Sequence, residues 1–182
     1  MKKFLVFTAT LFLSTLLAGL YGALHDQLSY TISPEYFTKF KYEQFGLETS
    51  WFGGDRPTVA VVGALATWWF GLFLGLIHAF VGLLQPTASY MRSAIWRGVM
   101  LTMSVAAVTG LLGLLYGYSY LNSHQPDWPF PDNLVDRASF IAVGSMHNFS
   151  YLGGLLGLVA GIIYQLKVRS KVKAQHRILT TS

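Results

Sequence analysis

The sequence predicts an all-α integral membrane protein: a four-helix transmembrane bundle with both termini on the cytoplasmic side and a short amphipathic helix in its first outer loop. Three observations predict it. The chain has 182 residues, 53% of them apolar and only 12% charged, with a mean hydropathy of +0.45, which excludes an ordinary water-soluble enzyme. Four intervals without a Lys, Arg, Asp or Glu, 4–25, 57–91, 98–126 and 138–166, are each long enough for the roughly 20 residues that cross a bilayer. The basic residues gather at one set of span ends and the acids at the other.

The spans fall at about 4–24, 58–84, 99–120 and 140–166, in one membrane domain, with outer loops 25–57 and 121–139 and a basic tail 167–182. The first span admits two readings. Lys2 and Lys3 before an apolar run fit a secretory signal, with Ala18 and Gly19 near a cleavage point, but the uncharged stretch is longer than a signal core and favours an uncleaved helix. A cytoplasmic N-terminus puts Lys2, Lys3, Arg92, Arg97, Lys167, Arg169, Lys171, Lys173 and Arg177 inside, nine of thirteen basic residues. All eight acids, Asp26, Glu35, Glu43, Glu48, Asp55, Asp127, Asp132 and Asp136, then lie outside. Nine against four is the positive-inside bias of an N-in, C-in chain with an even number of spans.

In the first outer loop, Leu28, Tyr30 and Ile32 alternate with polar residues, the pattern of an extended segment. Ser33, Pro34 and Glu35 read as a helix start and Gly46 as its stop. Tyr36, Phe37 and Phe40 share one face of that helix, which would lie on the membrane surface or pack over the bundle as a lid. In the second outer loop, Pro126, Pro129 and Pro131 forbid a continuous helix, and Trp128 and Phe130 read as interface anchors. The acid-free tail suits anionic headgroups or simply fixes topology.

Three spans carry glycines at four-residue spacing: Gly71 and Gly75, Gly113 and Gly117, and Gly153, Gly157 and Gly161. Such faces let helix backbones approach closely in lipid. At about 100° per residue, Thr8, Thr15, Gly19, Gly22 and Asp26 share one sector of the first helix, which turns Asp26 inward. His147 falls at the edge of the glycine face of the last helix. His78 shares a face with Gly71, Gly75 and Gly82 near the inner end, so the two histidines sit at opposite depths and a single site would not include both.

Ionisable groups at membrane depth are costly and are functional candidates by default. The outer half gathers His25, Asp26, His147 and Asn148, with Glu35 and His124 on the loops above, a donor set suited to a divalent metal or a proton relay. Soft ligands are missing apart from Met146, and no histidine pair has the spacing of a recognised metal helix. The bland alternative pairs Asp26 with Lys39, Lys41 or Arg56 and leaves the histidines hydrogen-bonded across helices. His78 is a candidate proton site or a satisfied core histidine. Trp68 and Trp69, near mid-depth, either wall a pocket for quinone, haem or lipid or pack on glycine faces.

There is no cysteine, so neither disulfides nor thiolate chemistry arise. No phosphate-binding glycine loop, serine-nucleophile elbow or zinc-protease helix is present. The net charge of +5 sits at span ends and answers to topology, not nucleic acid.

Residues 25–41, HDQLSYTISPEYFTKFK, resemble a segment of an uncharacterised group of small four-helix bacterial membrane proteins. The resemblance covers about a tenth of the chain. It implies a multi-pass protein of the bacterial cytoplasmic membrane with this segment outside, and it implies no activity.

The leading functional expectation is a non-catalytic accessory or assembly component acting through its outer cap and glycine faces, with lipid, other membrane subunits or a second copy as partners. The alternatives are a metal- or quinone-linked membrane enzyme using His25, Asp26 and His147, and a small proton-coupled transporter using Asp26 or His78.

Overall fold

The computed structural model describes residues 1–181, with side chains through Gln175; the Arg177 side chain, assigned above to the inner face, lies outside the described part. Four helices are long and apolar enough to cross a membrane, and each outruns its expected span. They are α1 (Lys2–Ile32), α4 (Asp55–Gly82), α5 (Ala88–Tyr116) and α7 (Arg137–Thr181). Between α1 and α4 the chain winds through α2 (Pro34–Tyr36), a π turn (Phe37–Lys41) and α3 (Tyr42–Phe45), then a 3₁₀ turn (Thr49–Trp51). Beyond α5, a second π turn (Gly117–Leu121) and α6 (Asn122–His124) precede an irregular loop. The basic tail is no separate segment; it continues α7.

The segment expected to be extended is the last two turns of α1. Its polar residues fit a helix because their side chains bond the carbonyl four residues back: Ser29 Oγ donates to His25 O at 2.9 Å and Thr31 Oγ1 to Gln27 O at 2.9 Å. Pro34 forces Ser33 out of helical geometry, φ −138° and ψ 89°, and this ends α1. Ser33 provides no side-chain cap; its buried hydroxyl has no partner. Gly46 supplies the stop, with φ 62°.

The winding from Pro34 to Phe45 is a lid. Phe37 and Tyr42 are five residues apart and both buried, a spacing that the π turn brings onto one face and an α turn would not. Tyr36, Phe37 and Tyr42 pack with Val59 and Val62 of α4 and Phe140 and Val143 of α7. Burying an aromatic side chain such as Phe37 stabilises the fold by about 1.5–3 kcal/mol. The second loop also packs inward. Phe130 lies 6.0 Å from the Phe140 ring under the Arg137 guanidinium, and the Trp128 indole fills the space beside Gly144, so neither is a free interface anchor.

Close backbone approach is concentrated in two pairs, α1 with α4 and α5 with α7; between pairs, contact runs mostly through side chains. Glycine explains the pairing. A Cβ on Gly22 would strike the Gly63 carbonyl, and one on Gly63 would strike Gly22 in return. Gly71 and Gly75 sit against Ala18 and Ser14 of α1. In the other pair, Gly110, Gly113 and Gly117 face Ser150, Phe149 and Ala142, while Gly153 and Gly157 face Thr109 and Thr102. Thr67 Oγ1 donates across the first seam to Ala18 O at 2.7 Å.

The link between the pairs, 83–87, is tied at the tail end. Lys3 Nζ donates to Leu83 O at 3.1 Å and Gln85 O at 2.5 Å, meeting the open carbonyls at the end of α4. Buried Gln85 donates through Nε2 to Gln165 O of α7 at 2.8 Å.

Two substitutions three residues apart test the seam. Gly22→Ala drives a methyl into backbone and lowers the unfolding free energy in detergent by at least about 1–3 kcal/mol. At Gly19 a Cβ would meet only the Ala64 methyl at 4.0 Å, so Gly19→Ala stays within about 0.5 kcal/mol of wild type. Equal losses at both positions would show that the α1/α4 contact is not the close approach described.

Candidate functional site

The penultimate turns of α1 and the start of α7 meet beneath the lid. They bring together His25, Asp26 and His147, the three residues whose ligating atoms all lie within 4.8 Å of one another. Asp26 is 3% exposed. Its Oδ1 lies 3.0 Å from His147 Nε2 and 3.2 Å from His25 Nδ1. The two imidazoles meet edge to face with centroids 4.8 Å apart, and the Tyr36 ring of the lid stacks on His147 at 4.9 Å.

The outer nitrogen of each histidine is also engaged. His147 Nδ1 lies 2.8 Å from Val143 O, and a carbonyl oxygen only accepts, so Nδ1 carries a hydrogen. In a neutral imidazole Nε2 then presents a lone pair to Asp26 Oδ1. Two electron-rich atoms 3.0 Å apart need a positive charge between them. That charge is a proton, on His147 or Asp26, or a metal ion. His25 Nε2 sits 3.2 Å from Ser150 Oγ, a group that both donates and accepts, so His25 can turn either a hydrogen or a lone pair toward Asp26.

The two contacts to Asp26 have the spacing of metal ligands as well as of hydrogen bonds, while the three ligand atoms together span up to 4.8 Å, so an ion would draw the two imidazoles closer. Ligand bonds of about 2.0–2.2 Å place neighbouring ligand atoms roughly 3.0–3.5 Å apart, and the two measured separations are 3.0 and 3.2 Å. The contact of Val143 O with the far nitrogen of His147 is the kind that orients a metal-bound imidazole.

The remaining expected members stay away. Asn148 is exposed. His124 is exposed and donates to Tyr120 O at 2.9 Å. Glu35 turns to the second loop, accepting from the backbone N–H of Val135 at 3.0 Å and of Asp136 at 2.7 Å, and pairs with Lys39. Asp26 has no loop cation: Lys39 binds Glu35 and Asn133 O, Lys41 reaches Gln44 Oε1, and Arg56 bonds Gln27 and Thr31.

His78 is a satisfied core histidine in its contacts. Thr102 Oγ1 donates to Gly98 O and so accepts from His78 Nε2 at 3.0 Å; His78 Nδ1 then accepts from Gln165 Nε2 at 2.7 Å. The neutral ring has both nitrogens filled.

His78 lies at the opposite depth from the other two histidines, yet all of them line one cavity. A single cavity of about 90 Å³ between the helix pairs is lined by His25, Asp26 and His147 at one end and by His78 at the other. His78 lies beside Gly161, fourteen residues along α7 from His147, a rise of about 21 Å. The cavity wall is nearly all carbon between its ends, except for Thr67, Thr102 and Ser14. Trp68 and Trp69 are not part of it; both are about half exposed on the outside of the bundle. Its aromatic walls are Tyr21, Phe70 and Tyr151. The Tyr21 hydroxyl is buried without a partner, one turn before His25, while Tyr151, one turn after His147, donates to Ala66 O at 2.8 Å. Their four-residue offset from each histidine was the available signal for both.

No protein-family model, curated protein or solved structure matches this chain.

Above the site, the lid is fastened by Glu35, whose carboxyl is held down to about 2, first by Lys39 and then by the two backbone N–H groups. The ordinary value is 4.5, so the contact is at full strength above that pH and is lost only as pH falls through about 2. The Val135 amide resonance in detergent should therefore titrate near pH 2, and Glu35→Gln should remove that titration. A midpoint near 4.5 would show a carboxyl free of these partners.

Proposed function

We propose that this is a metal-linked membrane enzyme in which His25, Asp26 and His147 hold one borderline divalent cation, zinc or iron(II), at the end of the central cavity. The observation that carries the reading is the pair of acceptors facing His147: its two nitrogens meet Val143 O and Asp26 Oδ1, and a cation resolves the second contact. Two histidines and one carboxylate are the donor set of non-haem iron sites and suit zinc equally. Three protein ligands leave open positions, the mark of a catalytic site more than a closed structural one.

Cavity size decides what reaches those positions. About 90 Å³ is less than the roughly 150 Å³ that admits benzene. That space favours metal chemistry on a small molecule over a quinone or a haem. The expected glycine faces are covered by this chain's own helices, which leaves an accessory role only its outer cap. A proton-coupled role for His78 is weakened by its filled nitrogens.

Gentle extraction followed by elemental analysis should find a single equivalent of zinc or iron, absent from His147→Ala and Asp26→Asn. Added Co²⁺ should give a visible spectrum in metal-stripped wild type and none in either variant. Folded wild type that carries no metal and gives no cobalt spectrum would overturn the proposal and leave a proton as the bridging cation.

The same reading includes orientation and setting: the bacterial cytoplasmic membrane, with the basic end in the cytosol. Lys2, Lys3, Arg92, Arg97 and Lys167 stand at one end of the bundle and the eight acids at the other, which supports it through positive-inside bias. A phosphatase fused after Ser182 should be inactive and a fluorescent protein at the same place should glow; an active phosphatase would reverse the topology.

A further inference from the structure

A second cavity of about 220 Å³ opens on the side of the bundle between α1 and α5. The two helices both begin at the tail end and run in the same direction, so the groove follows their axes. Its wall on α1 reaches from Leu5 to Leu17, a rise of about 18 Å. One leaflet of a hydrocarbon core is about 15 Å deep. The groove therefore matches one leaflet, beginning at the tail end of the bundle.

Its chemistry is divided by depth. The polar groups on its floor are already engaged, since Thr10 Oγ1 donates to Val6 O at 2.7 Å and Ser14 Oγ to Leu11 O at 3.2 Å. The length of the groove offers only carbon to an occupant. At its mouth stands Arg92, exposed and without a hydrogen bond or ion pair among the described residues. Trp96 follows one turn deeper and is half exposed, at the depth where an indole settles between headgroup and chain.

We infer that the α1/α5 groove is a binding site for one anionic phospholipid, with an acyl chain along Leu5, Ala9 and Leu13 and the phosphate on the Arg92 guanidinium. A planar guanidinium matches a phosphate with paired N–H bonds. Charge selects this occupant over a helix from another protein, which would fill the carbon wall and leave the cation unanswered at headgroup level. The site is separate from the His25–Asp26–His147 cluster and does not depend on a metal there. It joins the central cavity through Ser14, Leu17 and Val99, which line both spaces, so the tip of the chain lies at the inner cavity's side entrance.

Native mass spectrometry tests this with the full chain delivered in phosphatidylglycerol or in phosphatidylcholine of the same acyl length. Wild type should retain one phosphatidylglycerol, roughly ten-fold over phosphatidylcholine. Arg92→Gln, a change at an exposed side chain without protein partners, should bring the two lipids to parity. Ala9→Leu, which narrows the groove, should reduce retention of both, with Ala9→Ser as the variant that leaves it open. Equal retention of the two lipids by wild type would overturn the inference. So would an undiminished preference in Arg92→Gln, full retention in Ala9→Leu, or a protein chain bound in place of lipid.

Discussion

In lipid, helices gain nothing by hiding carbon from their surroundings, so association rests on how closely their backbones can come. Here that constraint is met twice. Gly22 and Gly63 lock α1 to α4, and Gly113, Gly117, Gly153 and Gly157 lock α5 to α7. Because the tight seams lie within the pairs, the looser space lies between them. The central cavity and the ionisable groups at its ends occupy that space. Had the glycines been spread evenly around the four helices, the interior would have closed and Asp26 would have had no room for two imidazoles.

The cluster illustrates how a buried carboxylate is made tolerable without a lysine or arginine. Imidazole can supply a neutral lone pair or a charged donor, and two of them flank one oxygen of Asp26. The lid completes this arrangement, with Tyr36 laid flat on His147 and Phe37 sealed beneath it. Exclusion of water strengthens whatever charge resides there. The acid and His25 come from α1 and His147 from α7, at opposite ends of the sequence, joined only when both pairs are assembled.

Much of this was legible before any coordinates. Charge-free runs marked the four helices because hydrocarbon tolerates little else, and the glycine periods marked the faces that touch. Helical angles turned Asp26 inward and set His147 at the edge of a glycine face, and His25 joined them by depth. What stayed hidden had local physical causes. The end of α1 looked extended because Ser29 and Thr31 break the apolar pattern, yet their hydroxyls fold back on their own helix. The lid's π turn is invisible to a 3.6-residue period. Asn148 and Glu35 carry the right chemistry but point to the exterior and to the second loop, and neither direction is written in residue type. That His78 and the cluster line one cavity was not visible because depth along an axis says nothing about the space left between helices.

The clip at the 83–87 turn gives the bundle a spine. Gln85 fastens that turn to α7 and Lys3 fastens it to α1, so the two halves are hinged at one edge like the covers of a book. Any parting of the halves is then widest at the far edge, where Tyr36 rests on His147 and Glu35 grips the opposite loop. The buried acid therefore sits as far as the bundle allows from its own binding.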